Sequence, residues 1–83
     1  MNESGIESLK LQLSVLGVSE PDQFRYRDRY KLLRGTLVIR RSEESLYLVD
    51  NQGKVTNRFK ITNTNLPQII QSIIPYTQEE TNR

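Results

Sequence analysis

The sequence predicts an α+β fold: an N-terminal helix, a three- or four-stranded antiparallel β-meander, and a C-terminal amphipathic helix packed on one sheet face. Three observations predict it. Apolar residues recur at helical spacing near both ends of the chain, they recur in short β-branched and aromatic runs through the middle, and those runs are separated by brief polar turns. Helices gathered on one side of an antiparallel sheet are a standard way to bury both kinds of apolar face.

The first element is IESLKLQLSVLG, residues 6–17, where Ile6, Leu9, Leu13 and Leu16 fall at three- and four-residue steps and line one helix face. Ser4, with Glu7 three residues on, forms a capping-box pattern, and Gly17 suits the left-handed position that stops a helix. Leu11 and Val15 fall off the stripe, which implies either a wide buried face or a second contact surface.

Residues 24–32 alternate. Arg25, Arg27, Arg29 and Lys31 fall on one side, with Phe24, Tyr26, Asp28, Tyr30 and Leu32 on the other, and the ring content favours a strand. The competing reading is a helix begun at SEPD (19–22), with Ser19 as cap, Pro21 in the first turn and Gly35 as stop. Its projection gathers only Tyr26, Tyr30 and Leu33 on one face, so the strand is preferred.

TLVIRR (36–41) and LYLVD (46–50) read as two further strands joined by the polar turn SEES (42–45). DNQG (50–53) supplies a hairpin loop whose Gly53 can take a positive φ. KVTNRFKI (54–61) then alternates, placing Val55, Phe59 and Ile61 on one face and Lys54, Thr56, Arg58 and Lys60 on the other. The final helix, NLPQIIQSII (65–74), aligns Leu66, Ile69, Ile70, Ile73 and Ile74 in a narrow stripe. Asn65 and Gln68 give its start signal, Pro67 is tolerated in the first turn, and Pro75 is expected to stop it. Residues 1–75 are thus expected to form a single small domain and 76–83, YTQEETNR, a flexible tail.

Composition excludes much chemistry. The chain has no cysteine and no histidine, which removes disulfides, thiolate chemistry, the commonest metal ligand and the usual neutral-pH base. A nucleophilic serine would have only lysine or a carboxylate as base and no accompanying motif such as GxSxG, Glu43 and Glu44 are adjacent and point apart, and glycines 5, 17, 35 and 53 build no phosphate-cradling loop. A non-enzymatic regulatory or adaptor module without cofactor or metal is expected. No basic n-region opens the chain and no run of about eighteen apolar residues occurs, so a soluble, cytoplasmic protein without membrane contact is expected.

Binding remains. Net charge is only +2, but residues 23–61 hold ten basic groups against Asp28, Glu43, Glu44 and Asp50. Arg25, Arg27, Arg29, Lys31, Arg40, Arg58 and Lys60 fall at alternate strand positions and can share a face that meets an anionic partner, with nucleic acid first among candidates. A plainer reading competes: alternating arginines and lysines also keep an outer sheet face soluble and discourage edge pairing, and Tyr26 and Tyr30 fall on the core side.

The strands also carry a second apolar set. Val38, Tyr47 and Val49 oppose Leu37, Ile39, Leu46 and Leu48, so either helix 6–17 covers that second face or a protein partner or second copy does, the helix being preferred. Finally, a basic three-stranded sheet followed by a helix, running from GTLVIRR to LPQIIQSI, resembles the small arm-type DNA-binding domains at the N-terminus of phage integrases. No residue role is carried over from that likeness.

Overall fold

The computed structural model describes residues 4–77. Helix α1 (Ser4–Val15) leads into β1 (Asp22–Phe24), β2 (Arg27–Lys31), β3 (Thr36–Arg40), a single 3₁₀ turn at Arg41–Glu43, β4 (Ser45–Val49) and β5 (Val55–Lys60), and α2 (Leu66–Thr77) follows. Each strand pairs antiparallel with the next, in the order β1-β2-β3-β4-β5. The α+β class and the meander agree with expectation. The strand count does not: five strands form, not three or four.

The extra strand comes from residues 22–31. Instead of one continuous strand, this stretch is a hairpin in which Phe24 pairs with Arg27 and Asp22 with Arg29, turning at Arg25 and Tyr26. Arg25 adopts φ 57, a left-handed conformation that a residue without glycine's freedom adopts only at a cost. What holds it there is distant in sequence. The Arg41 guanidinium donates to the carbonyl oxygen of Arg25, and the Arg41 backbone N–H donates to that of Tyr26 at 2.9 Å.

α1 ends in a Schellman arrangement: Val18 N–H donates to the Leu13 carbonyl and Gly17 N–H to that of Ser14, both at 3.0 Å, with Gly17 at φ 88. Its Ile6, Leu9 and Leu13 pack with Ile69 and Ile73 of α2 against Tyr30, Leu37, Ile39, Leu46 and Leu48 of the sheet. Both helices therefore cover the same face. This corrects the expectation that helix 6–17 would cross to the second apolar face, which no helix or strand among the described residues covers. Leu11 and Val15, off the stripe, are exposed.

At the far side of the sheet, Asp50 Oδ1 accepts the N–H groups of Gln52 at 2.8 Å and Lys54 at 2.9 Å, closing the expected loop with Gly53 at φ 85. A β-bulge follows, since Val49 pairs with Val55 but Leu48 pairs with Asn57, leaving Thr56 as the additional residue. The bulge turns Val55 to the open face beside Val49, against the expected alternation, and restores Phe59 inward and Arg58 and Lys60 outward. α2 passes through Pro75 to Thr77 rather than stopping there. Proline is accommodated because only the last turn loses an N–H. Tyr76 packs against the core and its carbonyl accepts Arg34 N–H at 3.0 Å. Tyr76 and Thr77, which head the stretch expected as a tail, thus belong to α2; residues 78–83 lie outside the described residues.

Candidate nucleic-acid interface

Cross-strand partners share a sheet face, so the pairing register fixes what the open face presents. One row crosses all five strands: Asp22, Arg29, Val38, Tyr47 and Arg58. A second row beside it holds Phe24, Arg27, Arg40, Ser45 and Lys60, and a third holds Lys31, Thr36, Val49 and Val55. The two sets that the sequence set against each other as rival surfaces, the basic residues apart from Arg25 and the apolar Val38, Tyr47 and Val49, are one surface. Its centre is apolar and its surround is basic.

The centre is concave. A hollow of about 600 Å³ lies over Val38 and Thr36, walled by Asp22, Gln23, Phe24, Arg27 and Arg29 on one side and by Tyr47 and Val49 on the other. Val38 is only 6% exposed although, among the described residues, no helix lies above it. Its neighbours on the same face are Arg29 and Tyr47 across the strands and Thr36 and Arg40 along β3, and arginine stems can cover apolar surface while their charged ends reach water.

Among the described residues, six cations, Arg27, Arg29, Lys31, Arg40, Arg58 and Lys60, stand on this face against two carboxylates, Asp22 and Glu43. Arg40 pairs with Glu43 at 3.0 Å, and Lys60 Nζ donates to the Glu43 carbonyl at 3.3 Å. Exposed pairs of this kind contribute about 0–1 kcal/mol, so an incoming phosphate can compete for Arg40. Arg27, Arg29, Lys31 and Arg58 make no ion pair among the described residues. No protein-family model, curated protein or solved structure matches the chain.

Arg25 leaves the predicted set. Placed in the β1–β2 turn, it lines a separate hollow with Lys10, Tyr26 and Arg41 near α1, because the hairpin removes it from the strand alternation. Phe24 and Tyr26, expected in the core, are 60% and 61% exposed, and Phe24 joins the open face through its pairing with Arg27. Sequence reasoning missed Phe24 as a site residue; a turn at Arg25 and Tyr26 would have revealed it. Tyr30 is buried as expected, its phenol pushed up to about 12 by burial and then by the charge of neighbouring Asp28, so it offers no stacking surface. Among the described residues, no helix is long and apolar enough to cross a membrane.

Proposed function

We propose that the chain is a small non-enzymatic binding module, regulatory or adaptor in role, whose open sheet face holds a nucleic acid. One observation carries this reading: six basic side chains from β2, β3 and β5 surround an apolar, concave centre on the sheet face that bears no helix. Arginine forks match phosphate oxygens in pairs, and apolar and aromatic groups among them suit the flat faces of bases. Charge also argues against a second copy of the chain on this face, since each copy would set its own six cations against the other's. The apolar floor of Val38, Tyr47 and Val49 favours, as second reading, a protein partner with an acidic rim.

The test is titration of the chain into labelled oligonucleotides at low salt, followed by stepwise salt addition. Binding is expected, with affinity falling on a log–log plot by about 0.7–0.9 per phosphate contacted. The Arg27→Glu/Arg29→Glu variant should lose it while keeping its melting curve, because exposed substitutions usually change stability by no more than about 0.5 kcal/mol. Absence of any signal at low salt overturns the nucleic-acid reading and leaves the acidic protein partner.

A further inference from the structure

We infer that the open face selects single-stranded nucleic acid, with a base seated against Tyr47 and Val49 and the phosphates held by the surrounding arginines; this rests on the reading above and narrows it. The first argument is width. Five strands spaced about 4.8 Å apart make a face roughly 19 Å across. The major groove of a duplex is about 12 Å wide and admits a helix or a two-stranded ribbon, so this sheet cannot enter it. A duplex could only lie across the face, presenting charged phosphates to the partly exposed Tyr47 and Val49 at the centre. Those residues would lose water without gaining an apolar partner.

A single strand resolves the mismatch. Its unpaired bases have apolar faces that can enter the hollow of about 600 Å³, while its backbone follows the basic surround. The rows on the sheet supply the geometry. Tyr47 lies between Val38 and Arg58, so its ring has one cation beside it in its own row, and Arg29 follows beyond Val38. Phe24, exposed on β1, stands across the hollow three strands from Tyr47, far enough to receive a different base of the same strand.

The experiment compares a single-stranded oligonucleotide with a hairpin duplex of the same sequence by fluorescence anisotropy at one low salt concentration. The single strand is expected to bind about tenfold tighter. Tyr47→Ala should weaken single-strand binding about tenfold, in the range that loss of one stacked base produces, whereas Tyr47→Phe should retain it. Should Tyr47→Ala melt early, Phe24→Ala serves instead, since that side chain is 60% exposed, with a several-fold loss expected. Equal or tighter duplex binding, or full single-strand affinity in both alanine variants, overturns single-strand selection. If Arg27→Glu/Arg29→Glu still abolishes binding in that case, the nucleic-acid reading stands without it. No binding of either form ends both.

Discussion

Lys10 and Asp28 meet across the boundary between α1 and the sheet, with Nζ 3.1 Å from Oδ2 of an aspartate that has no exposed surface. Arg41 Nε lies 3.6 Å from the other oxygen, and neither oxygen accepts a well-directed hydrogen bond. The buried carboxylate therefore depends on these two cations, and Arg41 in turn holds the β1–β2 turn. Removing one partner strands the charge. Lys10→Met is expected to destabilise by about 3 kcal/mol, near the low end for breaking a buried pair because Lys10 is itself partly exposed. Lys10→Met/Asp28→Leu should recover most of that loss. Urea midpoints of the three proteins check it, and a parental midpoint for Lys10→Met would mean that Arg41 suffices alone.

Tyr30 makes stability sensitive to alkali. Folding raises its pKa from 10.0 to about 12, through burial first and the charge of Asp28 second. The unfolded chain thus releases this proton earlier as pH rises. The contribution of Tyr30 is complete below pH 10 and is lost between pH 10 and about 12. Unfolding midpoints measured across that window should fall in the parent and fall less in Tyr30→Phe.

Asp50 acts at the acid end. The N–H of Lys54, and then that of Gln52, hold its carboxyl below the ordinary 3.8. A lowered pKa stabilises the fold above the unfolded value, and that stabilisation disappears as pH falls through the folded one. Asp50→Asn should therefore show a shallower acid loss of stability than the parent, and identical acid limbs would contradict the assignment.

Gly35 and Gly17 separate two uses of glycine. Both have positive φ, 92 and 88, but a Cβ on Gly35 would collide with the Val49 carbonyl oxygen, whereas nothing lies near one on Gly17. Gly17→Ala should cost about 1 kcal/mol from backbone conformation alone. Gly35→Ala adds the clash and should cost at least about 2 kcal/mol. Thermal melts rank the two, and the reverse order would show that the β3 entry can shift away from Val49.

What could be read from the sequence was whatever its own neighbours decide. The DNQG loop was legible because Asp50 and Gly53 carry the turn chemistry locally, and α2 because Leu66, Ile69 and Ile73 repeat at helical spacing. The β1–β2 turn was not. Arg25 and Tyr26 are not turn formers, and their anchor, Arg41, lies sixteen residues beyond Arg25. The bulge at Thr56 is equally silent, since KVTNRFKI alternates as well without it. Of the site, alternation placed Arg27, Arg29, Val38 and Tyr47 on sheet faces. That they share one face required the register Arg29, Val38, Tyr47, Arg58, and that the face is open required knowing that α1 lies beside α2.

The most direct test of the open face as the binding surface is a backbone amide NMR titration with a short single-stranded oligonucleotide at low salt. The largest shifts are expected along the central row, at Arg29, Val38, Tyr47 and Arg58, with Arg27 and Phe24 beside them and little change at Leu11 and Val15 on the outer side of α1. Shifts concentrated at Leu11, Val15 or Arg25, with the central row unmoved, would contradict the account.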